Sequence, residues 1–343
     1  MSSRREGLEM QDTSSFWQDK HVLVTGAGGF IGSHLVEKLV NSGAQVRAFV
    51  RYNSRGDPGL LSLLPTEILE KLEIIAGDLR DLPAVLSASQ DEQIVFHLGA
   101  LIAIPYSYKH PAEVVESNIL GTMNVLLAAR ENGVERIIHT SSSEVYGSAV
   151  RVPIDETHPL QGQSPYSASK IGADKLAESF FCAYDLPIVT IRPFNTYGPR
   201  QSARAVIPSI IIQVLNQNEV HLGNLDALRD FTYVSDTVEG FLCGAQTIGV
   251  EGKTINLGVG SEIRIIELAN EIISILGKTI EIKVDSERLR PTKSEVTRLL
   301  SDNRLARELL GWTPRVSLRE GLSKTIEWIS GNIQHYRPKQ YQI

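Results

Sequence analysis

A tyrosine and a lysine four residues apart, Tyr166 and Lys170 in YSASK, are the pair in this chain best suited to moving a proton. On a helix they share one face a turn apart, which places the lysine ammonium beneath the phenol. A neighbouring cation favours the phenolate and draws a tyrosine pKa down from about 10 toward working pH, as removal of a proton from a sugar or alcohol hydroxyl requires. The same spacing also occurs on ordinary solvated helix faces, so the pair alone does not define a site. Its setting does more, because the strand-end stretch TSSSEVYG, Thr140 to Gly147, lies just upstream.

The elements that must position this pair begin at His21. HVLVT reads as a strand, GAGGFIG as a glycine turn, and Ile31 to Ser42 as an amphipathic helix. Gly26, Gly29 and Gly32 give the spacing at which a dinucleotide pyrophosphate approaches the amides of a helix N-terminus, with Phe30 and Ile31 at the same turn. The second strand, Gln45 to Val50, runs into VRYNSRG without a carboxylate. Arg51, Asn53, Ser54 and Arg55 stand where an acid would take the ribose 2′-hydroxyl of NAD, and the arginines at 51 and 55 lean toward NADP. Further strands are expected at Leu72 to Ala76, Gln93 to Leu98, Arg136 to Ser141 and Pro187 to Arg192, alternating with helices, the longest from about Pro111 to Asn132. Asp78 and Leu79 follow one strand, and Leu98 to Ala100 another; ligands gather at such strand ends, although a turn role explains Asp78 equally well.

Composition narrows the class. The chain has 343 residues, 42% of them hydrophobic, enough to bury a large core. With 34 basic against 40 acidic residues and no basic run, neither nucleic acid nor a membrane surface is an expected partner. Only Cys182 and Cys243 are present, without CxxC or Cys/His clustering, so no disulfide framework or zinc site is expected and a reducing cytoplasm fits. The histidines show no metal-ligand spacing. Residues 1–19 are polar, lack a signal-peptide core and read as a mobile extension, with Trp17 a candidate to pack back onto the body.

GAGGFIG, SSSEVYG, YSASK, RPFNTYGPR and RDFTYVSD, in that order, resemble the extended short-chain dehydrogenase/reductases that act on nucleotide sugars, over His21 to Trp328. The resemblance implies an α/β fold: a doubly wound, Rossmann-type parallel sheet at 20–194 plus about 230–260, with an interleaved nucleotide-sugar domain at 195–229 plus about 261–335. It implies Ser142, Tyr166 and Lys170 as the family's Ser/Thr, Tyr and Lys, a recycled NAD(P), and a homodimer built on the helices at Pro111 to Asn132 and Tyr166 to Tyr184. Two residues beyond Ser142, Glu144 projects to the same side if the chain stays extended, which makes it the candidate base for a C5 proton. Ser143 stands where related dehydratases place the acid for the C6 hydroxyl, and serine is a poor acid. Asn195, Arg204, Arg229, Arg290 and Glu295 match substrate contacts, Arg229 by a guanidinium fork suited to a diphosphate.

LGNLDALRDF is similar to the GNLDAKRDW segment of GDP-mannose 4,6-dehydratases, and much of the remaining chain is similar to the dehydratase that opens legionaminic acid synthesis. The expectation is therefore a 4,6-dehydratase of a GDP- or UDP-linked N-acetylglucosamine. A 4-epimerase that uses Glu144 only as a sugar contact is the first rival and a uronate decarboxylase the next. A dinucleotide-sensing scaffold without chemistry is the alternative from another class.

Overall fold

The computed structural model describes residues 13–336, and within them seven parallel strands form one sheet. They are β1 His21–Thr25, β2 Gln45–Arg51, β3 Leu72–Gly77, β4 Ile94–His97, β5 Arg136–Thr140, β6 Ile188–Pro193 and β7 Thr254–Leu257. Their spatial order is β3-β2-β1-β4-β5-β6-β7. Val22 of β1 lies between Val46 of β2 and Ile94 of β4. Val22, Leu23 and Val24 are all buried, as expected of a parallel strand covered by helices on both faces. The chain order reverses between β1 and β4, so a crevice opens there outside the strand carboxyl ends, the usual ligand position in such sheets. Six of the strands fall where expected to within a residue or so. TINL of β7 gave no signal, because four residues pairing only with β6 carry too little pattern.

Helix Phe30–Asn41 follows the glycine turn and buries Leu35, Val36, Leu39 and Val40 against the sheet. The helix bearing the tyrosine and lysine, Pro165–Tyr184, starts on a reciprocal cap: the Ser164 hydroxyl accepts from the Ser167 amide at 3.1 Å, and the Ser164 amide donates to the Ser167 hydroxyl at 2.9 Å. Pro165 then opens the first turn, where its missing N–H costs nothing. The long helix expected from Pro111 is interrupted. It runs as α-helix over Pro111–Val115, as a π turn over Glu116–Leu120 and as α-helix again over Gly121–Glu131. That turn presents Asn118 inward, where its side chain bonds both the amide and the carbonyl of Leu101 and the Ser169 hydroxyl.

The remaining elements sit beyond β6. Helix Val206–Asn216 packs beside the parallel pair Glu219–Leu222 and Glu281–Val284. Leu228–Arg229 pairs with Ile263–Arg264 on one side and Arg298–Leu299 on the other. The RDFTYVSD stretch ties these pieces together. Asp230 accepts from the amides of Val259, Gly260 and Ser301, and Asp236 from those of Arg315 and Val316. A single apolar cluster runs from Val22 and Phe96 to Ile211, Leu322 and Ile329, so both parts of the chain share a core. No helix among the described residues is long and apolar enough to cross a membrane.

Residues 1–12 of the expected mobile extension lie outside the described residues. Its end does not fit that expectation: Thr13–Trp17 is a helical turn, and Trp17 is 1% exposed, with its ring 6.0 Å from that of Phe96. A buried indole contributes too much apolar area to leave this turn free. Trp17→Ala is expected to destabilise the fold by about 3–5 kcal/mol, read as a lower urea midpoint; an unchanged midpoint would show that the turn is dispensable.

Candidate active site

The glycine turn is fitted to a ligand by what it lacks. Gly26 holds φ +69°, and a Cβ there would lie 2.7 Å from the amide nitrogen of Gly99; one on Gly32 would lie 2.2 Å from the Gly26 carbonyl oxygen. No side chain caps the N-terminus of helix Phe30–Asn41, whose N-cap is Gly29, so its first amides remain available for an anion. The residues present therefore fit a dinucleotide pyrophosphate. A cleft of about 900 Å³ lies over this turn, lined by Gly26, Gly29, Phe30, Ile31 and Gly32 together with Arg51, Asn53, Asp78, Leu79, Leu98 and Ala100. Ser54 and Arg55 are exposed and are not among its lining residues. Asn53 accepts from the amides of Arg55 and Asp57 and so shapes the loop below the cleft. The Asp78 carboxylate is held by Arg80 in a fork, which lowers its pKa.

The same cleft is lined by Ser142, Ser143, Glu144, Tyr166 and Asn195. Strand β5 carries the serines to this point, and the start of helix Pro165–Tyr184 carries the tyrosine. Backbone extension stops at Ser142, with φ −158° and ψ 149°, and Ser143–Tyr146 turns into a 3₁₀ helix. The geometry assumed for Glu144 from alternation does not hold, yet the turn still delivers it to the cleft. The Ser142 hydroxyl accepts from the Glu144 amide at 3.2 Å and stands beside the Tyr166 phenol.

One electrostatic expectation is overturned. The Tyr166 phenol is not acidified by Lys170; burial pushes it up to about 12, against the smaller lowering from the Ser142 hydroxyl, and the charges of Glu144 and Asp174 also raise it. Lys170 lies behind the cleft and donates to the Thr140 carbonyl at 2.5 Å, and burial lowers its ammonium to about 8. The cost of removing both groups from water outweighs their mutual help in the protein alone.

The residues matched to substrate contacts are divided. Asn195 faces the cleft but donates to the Asp230 carbonyl at 2.9 Å. Arg229, Arg290 and Glu295 are not among the lining residues and form a second group against Glu144: Arg290 lies 3.6 Å from its carboxylate, and Arg229 3.5 Å from Glu295. Arg229 is buried, donating to the carbonyls of Leu228 and Val296. Arg204 is exposed and turned toward Ser202 in its own turn.

Sequence reading missed the support beneath the site. Asp174, one turn beyond Lys170 on the same helix face, accepts from Ser141 at 2.7 Å and from Arg192 at 2.8 Å, and pairs with His139 at 3.1 Å. Burial opposes its charge, but these partners hold its carboxyl down to about 2. Its i+4 relation to Lys170 was the available signal. His139 in turn stacks at 5.8 Å on His97, which is bonded to Thr25 and Thr122.

A doubly wound sheet with a glycine-turn dinucleotide cradle and a Ser-Tyr-Lys group defines a dinucleotide-dependent enzyme class, and sequence comparison agrees. The model of the GDP-mannose 4,6 dehydratase family matches residues 23–325. The chain belongs to this family, within the extended short-chain dehydrogenase/reductases of the NAD-dependent epimerase/dehydratase type. It is 33% identical to the dTDP-D-glucose 4,6-dehydratase of Mus musculus over 93% of this chain and 91% of that protein. It is 34% identical to the UDP-glucose 4-epimerase of Mycolicibacterium smegmatis over 91% of this chain and 99% of that protein. The structure of DesIV, a dTDP-glucose 4,6-dehydratase from Streptomyces venezuelae with NAD and TYD bound, superposes with TM-score 0.83 at 27% identity, covering 93% of this chain and 99% of that one.

Burial lowers the pKa of both His97 and His139, that of His97 well below its ordinary value. A histidine with a depressed folded pKa contributes stability above the unfolded value of 6.5 and loses it as pH falls below, because the unfolded chain then binds the extra proton. Wild type should therefore lose stability relative to His97→Gln by about 1.4 kcal/mol per pH unit below that value, measured as urea midpoints between pH 7.5 and 5. Parallel curves for the two proteins would refute it.

Proposed function

We propose that this protein is a nucleotide-sugar 4,6-dehydratase converting GDP- or UDP-linked N-acetylglucosamine to its 4-keto-6-deoxy derivative. The observation that carries the reading is the Glu144 carboxylate lining one cleft with Ser142 and Tyr166, an acid–base group beside an oxidation site. A dinucleotide held by the glycine turn at Gly26, Gly29 and Gly32 would supply a hydride acceptor for C4 and a hydride donor for C6. Tyr166 takes the C4 hydroxyl proton while Ser142 holds that oxygen. The C4 ketone acidifies C5–H, Glu144 takes that proton, the C6 hydroxyl departs as water, and the proton returns from Glu144 to C5 when C6 is reduced to the methyl group. Ser143, buried and lining the cleft, stands at the sequence position where related dehydratases place the proton donor to that hydroxyl. Lys170 anchors the end of β5 through the Thr140 carbonyl.

Arg229, Arg290 and Glu295 are proposed to meet the nucleotide diphosphate and ribose from the C-terminal segments, with Asn195 at the sugar and Arg204 as an outer contact. The proposal includes the two-domain division at 20–194 with about 230–260 and at 195–229 with about 261–335, a homodimer, and a cytoplasmic setting in which Cys182 and Cys243 stay free. For the cofactor we take NAD: the lean toward NADP rested on Arg51 and Arg55, and the first is paired with Glu113 while the second stands outside the cleft lining. A 4-epimerase is the second reading, supported by the pairing of Glu144 with Arg290, which suits a carboxylate kept as a contact.

Incubation of the purified protein with GDP- and UDP-N-acetylglucosamine is expected to yield a product lighter by one water from one of them. An isomer of unchanged mass would select the epimerase instead. Tyr166→Phe should lower turnover by about 10²–10⁴-fold. Glu144→Gln should still reduce the dinucleotide, seen as absorbance at 340 nm, but release no dehydrated product; elimination at the wild-type rate would remove Glu144 as the base.

A further inference from the structure

The arginine that ends β2 does not face the cleft alone. The Nη2 of Arg51 lies 3.2 Å from one carboxylate oxygen of Glu113, a residue of the helix after β4, and the Tyr106 hydroxyl donates to the other oxygen at 2.5 Å. Glu113 is thus held from both sides, and the tyrosine bond, more than the Arg51 pairing, keeps its carboxyl below the ordinary range. Nearby, Arg80 is taken up by Asp78 and Glu116. Around this end of the cleft, Arg51 and Arg80 meet Asp78, Glu113 and Glu116, two positive charges against three negative ones.

In a doubly wound fold the end of β2 faces the adenosine ribose, and an arginine there ordinarily welcomes a 2′-phosphate. A phosphate monoester carries a charge of about −2 near neutral pH and needs an unopposed guanidinium. We infer that Glu113, presented by Tyr106, disfavours the 2′-phosphate and biases this chain toward NAD, a discrimination placed outside the β2 segment where it is normally read. The inference rests on the dinucleotide-site reading and is independent of which sugar is turned over. Arg51 then serves as a donor already matched by a carboxylate, and the ribose hydroxyl brings no charge to compete for it.

Direct binding tests this without any sugar substrate. Dissociation constants for NADH and NADPH are measured by the change in reduced-nicotinamide fluorescence for wild type, Glu113→Gln, Tyr106→Phe and the double variant Glu113→Gln with Arg51→Ala. Glu113→Gln is expected to tighten NADPH about five-fold, the upper end for an exposed ion pair, while NADH changes by less than about two-fold. Tyr106→Phe should move the same ratio in the same direction by a smaller factor, and Arg51→Ala should cancel the gain. An unchanged ratio in Glu113→Gln, or a gain that survives loss of Arg51, overturns the assignment. Failure of wild type to bind either dinucleotide overturns both this inference and the cofactor reading, whereas tight NADH binding without dehydration sinks only the proposed reaction.

Discussion

The carboxylate of Asp174 is the point on which the site's geometry depends. Ser141 from the end of β5, Arg192 from β6 and His139 from within β5 all converge on it, and Asp174 itself sits on the helix that carries Tyr166 and Lys170. The ion pair is buried, so neither charge has water as an alternative partner. Taking such charges out of water is costly, and loss of one partner leaves the other stranded. The arrangement therefore permits one register between helix and strands. Arg192 extends it through the Tyr146 hydroxyl to Asn256 of β7, so the floor of the site is hydrogen-bonded across three adjacent strands.

Burial explains the state of the phenol. A Tyr-Lys pair stripped of water does not itself make a base; burial drives Tyr166 up and Lys170 down, and each group is more neutral than in water. A preorganised cleft of this kind places reactive groups first and leaves their final charge to the ligands that enter. Lys170 still has a structural task, since its bond to the Thr140 carbonyl fixes the strand end from which Ser142 projects.

The C-terminal segments use backbone recognition to come up against Glu144 at the edge of this cleft. Asp230 and Asp236 bind amides far along the chain, and Arg229 spends its donors on carbonyls. Chain that is separated in sequence is thereby brought beside Glu144, where Arg290 faces the carboxylate.

Much of the framework was legible in the residues alone. Apolar runs ended by glycine or charge placed six strands, and 3.6-residue periodicity placed the main helices, because both are local patterns with a local cause. The glycine turn was equally readable, since only glycine tolerates the backbone approach at Gly26 and Gly32. Tyr166 and Lys170 were legible from spacing, but their electrostatics were not, because desolvation depends on everything packed around them. The turn that brings Glu144 into the cleft, the π turn that aims Asn118, the burial of Trp17 and the pairing of Arg51 with Glu113 join residues distant in sequence or break a local pattern. Sequence by itself determined which groups exist and which elements carry them; the tertiary structure alone decided which charges meet, because long-range contacts and the loss of water set that balance.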